Sequence, residues 1–99
     1  MAQFDYYRRP GGEGVLLDVQ MDLLEALTTR VVVPLLPLAA IGTPAKRINP
    51  VFEIDGEPLV MATQLIAAVP LSELGQPAGT LSPCRTQIVE AIDVLLSGV

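Results

Sequence analysis

The chain has 99 residues, of which 51% are hydrophobic, so it has the size and apolar content of a single domain with one core over residues 1–99. It contains no histidine and one cysteine, Cys84, which excludes a Ser-His-Asp triad, an internal disulfide and a zinc site built from several cysteines. The net charge of −5 falls entirely in residues 48–99, and because Lys and Arg do not cluster we expect no direct binding to nucleic acid.

The N-terminal part of the chain predicts an antiparallel hairpin. Residues 3–8 are a β-prone run, and residues 9–14 form its loop because they include three glycines. Residues 15–20 alternate apolar and polar side chains, as a strand with one buried face does. Residues 21–29 lack this alternation, so they predict a long turn or a short helical connection.

The most β-branched segment, residues 30–35, predicts the core strand. A continuous apolar run of this kind is typical of a strand buried on both faces. Proline cannot donate a hydrogen bond to a neighbouring strand, so we expect Pro34 to end the strand or to lie in a bulge. Residues 36–43 are then expected to follow the surface.

The second half predicts a hairpin and one further strand. Residues 49–55 alternate and meet Asp55-Gly56, a dipeptide that tolerates the positive φ of a tight type I′ turn, so residues 57–62 are the returning strand. Residues 63–69 are predicted to continue as a strand, and residues 71–75 as a turn.

The C-terminal segment predicts an amphipathic helix that begins at Ser82-Pro83, where the serine oxygen would cap free amides, and ends near Leu96 before Gly98. Its predicted apolar face contains Ile88, Ile92, Leu95 and Leu96, and its polar face contains Thr86, Glu90, Asp93 and Ser97. Five or so short strands with this helix predict a mainly β fold, a small barrel closed or lined by the helix.

The residues alone reveal no catalytic, metal or cofactor site. Cys84 lies at the start of the predicted helix and is interpreted as packing filler rather than as a nucleophile. Asp18 and Asp22 lack a third ligand at a recognisable spacing, so we interpret them as solvated carboxylates or as acceptors that stabilise a turn. The glycine loop lacks the Lys-Ser or Lys-Thr pair of a phosphate-binding loop.

The sequence also predicts a cytoplasmic location. The longest apolar stretch, residues 31–41, is broken by two prolines and is far shorter than a membrane span, so we expect no membrane segment. The first residues lack a basic start and an apolar core, so we expect no secretory signal. A single cysteine fits a reducing compartment.

Several segments, in their order along the chain, resemble one family. They are Leu17-Asp18-Val19-Gln20 with Asp22-Leu23-Leu24, then Arg30-Val31-Val32-Val33-Pro34-Leu35, Asn49-Pro50-Val51-Phe52-Glu53-Ile54, Met61-Ala62-Thr63-Gln64, residues 68–75 and the helix from Leu81 to Val99. Each is common alone, but the same order over almost the whole chain resembles the CcdB toxins of bacterial toxin–antitoxin modules.

The resemblance implies an SH3-like barrel of the CcdB/PemK type that pairs as a homodimer. It implies a toxin that traps the DNA gyrase A subunit on cleaved DNA, with no catalysis by the toxin, and a CcdA-like antitoxin that removes it. Gyrase contacts are implied at Leu23, Leu24, Asp93, Leu96, Ser97, Gly98 and Val99. Antitoxin contacts are implied beside the glycine loop, at Arg8, Arg9, Gly11, Gly12, Glu13 and Gly14.

The chain departs from the family at its C-terminus. The family's usual ending is Trp-Gly-Ile, whereas this chain ends Ser97-Gly98-Val99, and Asp93 stands where the family has a neutral amide. Losing a tryptophan anchor costs about 2 kcal/mol or more, so weaker gyrase binding is expected. Two alternatives stay open. One is an endoribonuclease toxin of the MazF/PemK type, since that family has a similar barrel, although the missing histidine and the acidic balance argue against it. The other, which the missing tryptophan favours, is a non-toxic module that keeps only dimerisation and antitoxin binding.

Overall fold

A computed structural model describes residues 2–9, 14–24 and 26–98. Within them, seven strands form one antiparallel sheet: β1 (Asp5–Arg8), β2 (Val15–Asp18), β3 (Thr29–Pro37), β4 (Val51–Ile54), β5 (Glu57–Met61), β6 (Ala67–Pro70) and β7 (Gly79–Thr80). The α-helices are α1 (Leu38–Ile41) and α2 (Arg85–Ser97), and short 3-10 helices span Asp22–Leu24, Thr63–Leu65, Leu71–Glu73 and Ser82–Cys84.

The strands lie in the order β4-β5-β3-β2-β1-β7, and β6 pairs with the first half of β3 while β5 pairs with its end. The result is a half-barrel of antiparallel strands with one C-terminal helix, which confirms the predicted fold class. The two predicted hairpins, β1–β2 and β4–β5, are both present. In the second, Asp55 and Gly56 have φ values of 53° and 81°, as the type I′ turn requires.

The prediction that Pro34 ends its strand or bulges is wrong, because β3 continues to Pro37. Pro34 lies opposite Leu16, and its carbonyl accepts a hydrogen bond from the Ala62 amide on the other side. Pro34 therefore faces the gap between the part of β3 that pairs with β6 and the part that pairs with β5. No strand residue lies opposite it there, so the missing amide hydrogen of proline costs no hydrogen bond between strands. Residues 36–43 lie at the surface as predicted, with none of them buried, although they also complete β3 and form α1.

The predicted strand over residues 63–69 is partly wrong, because a 3-10 helix, Thr63–Leu65, precedes the short strand β6. The strand β7 was not predicted at all. It has two residues, Gly79 and Thr80, and pairs with β1. A pairing so short and so distant in sequence leaves no periodic pattern to detect.

The core lies on both faces of the sheet. The main core, between the sheet and α2, includes Leu17, Val33, Leu35, Leu59 and Ile88. A smaller cluster on the opposite face of the sheet contains Tyr7, Val32 and Leu74. Burial on both faces confirms the interpretation of the β-branched segment as the core strand.

Helix α2 buries only part of the predicted apolar face. Ile88 and Ala91 are its buried residues, Ile92 is half-buried against the core, and Leu96 is 77% exposed. The expected Ser82 cap is also wrong, because Ser82 is the first residue of the 3-10 helix Ser82–Cys84 and no side chain caps that helix or α2. Gly98 ends the helix as predicted, with a left-handed φ of 75°. No helix among the described residues is long and apolar enough to cross a membrane.

Candidate functional site

The connection between β2 and β3 carries an exposed apolar surface. Leu23 is 85% exposed, and Met21, Leu24 and Leu27 are each about half exposed. We call these four side chains the leucine-rich surface. Such a cluster of large apolar side chains in water is typical of a site that binds another protein. Leu23 and Leu24, implied by the family resemblance as gyrase contacts, both belong to it.

The end of α2 carries the other implied gyrase contacts. We call Asp93, Leu96, Ser97 and Gly98 the helix-end surface; Val99 lies outside the described residues. Leu96 and Leu23 are the two most exposed of the exposed large hydrophobic side chains. Ser97 Oγ donates to the Asp93 carbonyl at 2.6 Å, so its hydroxyl is already engaged within the helix. No hydrogen bond or ion pair among the described residues joins this surface to the leucine-rich surface.

Beneath the leucine-rich surface lies a buried ion pair. The Asp18 carboxylate is 0% exposed and accepts hydrogen bonds from Arg30 Nε at 2.9 Å and from the Gln20 amide at 3.0 Å. Arg30 Nη2 lies 2.7 Å from the same carboxylate. The interpretation of Asp18 as solvated is therefore wrong, whereas its alternative as a turn-stabilising acceptor is correct. Burial raises the pKa of Asp18, against the opposing effect of Arg30.

Gln20 connects this ion pair to the exposed leucines. Its side chain donates to the Leu24 carbonyl and accepts from the Val31 amide, both at 3.0 Å. Asp22 accepts a hydrogen bond from the Gln3 amide at 2.7 Å, and its carboxylate lies 3.9 Å from Arg30 Nη2, at the exposed edge of the same ion pair. Sequence reasoning missed the roles of Gln20 and Arg30, although a charged residue in a strand predicted to be buried on both faces was a usable signal of a buried partner.

The residues implied as antitoxin contacts lie beside the β1–β2 loop. Arg8 forms an exposed ion pair with Asp55, and Arg9 is exposed. Gly14 has a φ of 75° and packs so closely on Leu35 that a Cβ atom there would overlap the Leu35 carbonyl oxygen. Gly11, Gly12 and Glu13 lie outside the described residues.

A groove of about 490 Å³ runs over the face of the sheet opposite α2, and we call it the sheet groove. It is lined by Arg9, Leu16, Val32, Pro34, Leu65, Ala67, Val69, Ser72 and Glu73. Its floor is mainly aliphatic, with a cation and a carboxylate among the lining residues. Neither Arg9 nor Glu73 forms an ion pair with another described residue.

The remaining candidates for chemistry carry no further site. Cys84 is half-buried and packs against the main core. No group of three or more His, Cys, Asp or Glu side chains that could hold a metal ion occurs in the part of the chain that the structure describes.

The half-barrel with its C-terminal helix is the fold of a class of small toxins. An endoribonuclease from a mycobacterial species aligns with a TM-score of 0.76 and 18% identity, covering 97% of this chain and 90% of that chain. An endoribonuclease solved with its cognate antitoxin, also mycobacterial, gives a TM-score of 0.76 at 16% identity, covering 97% and 94%. The Mycobacterium tuberculosis toxin MazF-mt6 gives 0.72 at 15% identity, covering 93% and 94%.

The sequence itself identifies the family more closely. A family model described as CcdB protein matches residues 3–98, so the chain belongs to the CcdB family. The family resemblance drawn from the ordered segments is thereby confirmed. Family and fold together place the chain among the toxins of toxin–antitoxin systems.

One implication of the resemblance is corrected by the same comparisons. We expected a chain with no enzymatic activity. That expectation is contradicted, because the similar solved structures include endoribonucleases that share the fold over nearly the whole chain. A fold that carries catalysis in those proteins gives no ground for excluding it here.

Proposed function

We propose that this chain is the toxin of a toxin–antitoxin pair and that it binds the A subunit of DNA gyrase in the cytoplasm. The observation that carries the proposal is the family match over residues 3–98. A second observation supports it: Leu23 and Leu96, the two most exposed of the exposed large hydrophobic side chains, stand at positions where the family resemblance implies gyrase contacts.

The two surfaces would act as apolar anchors. Leu23 and Leu96 bury little area in the free chain, so most of their apolar surface can be removed from water by a partner. A homodimer would present each anchor twice, which doubles the contact with a two-fold symmetric target. Ser97 adds little of its own, because its hydroxyl already bonds the Asp93 carbonyl.

Replacing Ser97 by tryptophan should therefore strengthen binding to a gyrase A fragment, by roughly tenfold. A tryptophan next to Leu96 adds a large rigid contact area at small entropic cost. Calorimetric titration of both proteins measures the change. Thr86→Trp, at an exposed position in the first turn of α2, is the matched control and should leave the affinity unchanged. Tight wild-type binding that Ser97→Trp weakens would contradict this account.

The homodimer is proposed to form across the sheet groove. Its aliphatic floor would be covered by the same surface of a second copy, as a two-fold interface requires. Charge complementarity supports this occupant, because Arg9 of one copy can pair with the partner's Glu73. Within one copy, neither side chain forms an ion pair with a described residue. In the proposed dimer, each would pair with the opposite charge of the partner.

Reversing one of these charges should weaken the dimer, and reversing both should restore it. We expect Arg9→Glu and Glu73→Arg each to raise the dimer dissociation constant about tenfold, because each places like charges together. The double variant should return close to wild type. Analytical ultracentrifugation over a dilution series measures this, with Arg47→Glu as a control away from the groove. A monomeric wild type, or single variants that dimerise normally, would contradict the proposed interface.

The antitoxin is proposed to be CcdA-like and to contact the region of Arg8, Arg9 and Gly14. One of the similar structures was solved with its cognate antitoxin, which supports an antitoxin partner for this chain. Gly11, Gly12 and Glu13 complete the proposed contact set, although they lie outside the described residues.

A second candidate function is cleavage of RNA, favoured by the fold shared with the endoribonucleases. The sheet groove offers a cation, Arg9, that can contact a phosphate and a carboxylate, Glu73, that can accept a proton. In that case the groove stays open, and charge reversal at Arg9 leaves the oligomeric state unchanged.

Induced expression in gyrase-sensitive bacteria tests the proposed function against these alternatives. Growth arrest with double-strand DNA breaks supports gyrase binding. Arrest with fragmented RNA and intact DNA supports the endoribonuclease. Normal growth by a folded dimer that still binds its antitoxin identifies the non-toxic module. Only the first outcome upholds the proposal.

A further inference from the structure

We propose that Gln20 is a positioning residue whose buried carboxamide holds the leucine-rich surface in the conformation that binds the target. The inference rests on the proposed function, since the target is taken to be the gyrase A subunit. Gln20 itself is 6% exposed, so it acts through the residues it bonds and not by touching a partner.

The carboxamide of Gln20 bridges two points of one connection. Its Nε2 donates to the Leu24 carbonyl at 3.0 Å, in the middle of the leucine-rich surface. Its Oε1 accepts from the Val31 amide at 3.0 Å, where the chain has entered β3. One side chain thus ties the exposed turn to the rigid sheet.

The backbone of Gln20 is itself fixed by the buried ion pair. Its amide donates to Asp18 Oδ1 at 3.0 Å, and its carbonyl accepts from Arg30 Nη2 at 3.2 Å. The position of Gln20 is therefore set by two side chains that are almost fully buried. Hydrogen bonds of ordinary length thus connect the sheet, through Gln20, to the turn that carries the leucines.

Both functions of the carboxamide are needed. Glutamate keeps an acceptor for the Val31 amide but has no donor for the Leu24 carbonyl, and methionine has neither. Without the bridge, the turn that carries Leu23 and Leu24 keeps the hydrogen bond from the Gln3 amide to Asp22 but loses its tie to β3, so part of it has to be ordered when the target binds. That ordering reduces affinity even though no contact with the target is removed.

Gln20→Met tests the inference, with Asn49→Leu as the matched control. Asn49 also carries a buried carboxamide. Its Nδ2 donates to the Met61 carbonyl at 2.9 Å, its Oδ1 accepts from the Ala45 amide at 3.0 Å, and it forms no hydrogen bond with the leucine-rich surface. Both variants should lower the melting temperature. Only Gln20→Met should weaken binding to a gyrase A fragment, by about 5-fold to 100-fold, because the Val31 amide loses its partner and the Leu24 carbonyl keeps only the bond from the Leu27 amide.

Amide hydrogen exchange distinguishes a positioning role from a general loss of stability, because only the positioning role predicts faster exchange confined to this connection. Gln20→Met should speed exchange at Val31 and in the turn at Leu24 and Leu27, and Asn49→Leu should not. Gln20→Glu should speed exchange at Leu24 and Leu27 while Val31 stays protected.

Three outcomes separate the claims. The positioning role is overturned if Gln20→Met binds the gyrase fragment as tightly as the wild type. It is also overturned if Asn49→Leu weakens binding as much as Gln20→Met does. Unchanged exchange at Leu24, Leu27 and Val31 in Gln20→Met also overturns it. A wild type that fails to bind the gyrase fragment overturns the proposed function, and the exchange result then decides whether Gln20 fixes this surface.

Discussion

Replacing Arg30 by methionine should lower the free energy of unfolding by about 3–5 kcal/mol, because it leaves the Asp18 carboxylate buried without its cation. The side chains of Arg30 and Asp18 are 1% and 0% exposed, so solvent cannot replace the lost partner. Urea denaturation at one fixed protein concentration measures the loss, since dimerisation would make apparent stability depend on concentration.

Two further variants make the Arg30 result interpretable. Arg47→Met removes an exposed cation that forms no ion pair with another described residue, and it should change stability by less than about 0.5 kcal/mol. The double variant Arg30→Met with Asp18→Leu removes both charges and should recover part of the loss. If Arg30→Met alone lowers the free energy of unfolding by less than about 1 kcal/mol, the buried ion pair does not hold the fold as proposed here.

Replacing Ile88 by alanine should cost about 2–5 kcal/mol, because Ile88 is fully buried at the centre of the face that α2 presents to the sheet. Leu96→Ala, eight residues later on the same helix, should change stability by less than about 0.5 kcal/mol because Leu96 is mostly exposed. Thermal unfolding monitored by circular dichroism distinguishes the two. Equal melting temperatures for both variants would contradict the assigned helix face.

The features that sequence predicted well are local ones. The β4–β5 hairpin depends on Asp55 and Gly56, whose backbone preference selects the turn directly. The helix end depends in the same way on Gly98. The predicted helix face was right at Ile88 and wrong at Leu96, because the structure buries Ile88 and leaves Leu96 77% exposed. Helical periodicity defines an apolar arc, but the sheet decides which part of that arc is covered.

The features that sequence missed depend on pairing between distant segments. The register that places Asp18 opposite Val32 also brings Arg30 to the same face, and a single sequence does not specify that register. Gly79 is a second case, since a Cβ atom there would overlap the Tyr6 ring, a contact created only by the pairing of β7 with β1.

The candidate site was predicted by family resemblance and not by residue chemistry. Apolar residues such as Leu23 and Leu96 carry no chemical signature, and periodicity assigned Leu96 to the buried face. Their exposure became visible only in the fold. Gln20 was missed because its role depends on tertiary contacts. Its side chain bonds Leu24 and Val31, and these residues come within reach only when the connection between β2 and β3 is folded.

Calorimetric titration of the wild-type protein into a purified gyrase A fragment tests the central claim most directly. Leu23→Asp, which places a charge at the most exposed leucine and is expected to leave the fold unchanged, is the matched variant. The account predicts saturable wild-type binding that Leu23→Asp abolishes or weakens at least tenfold, since a charge cannot enter an apolar contact without a large desolvation cost. Absence of wild-type binding, or equal binding by Leu23→Asp, would contradict it.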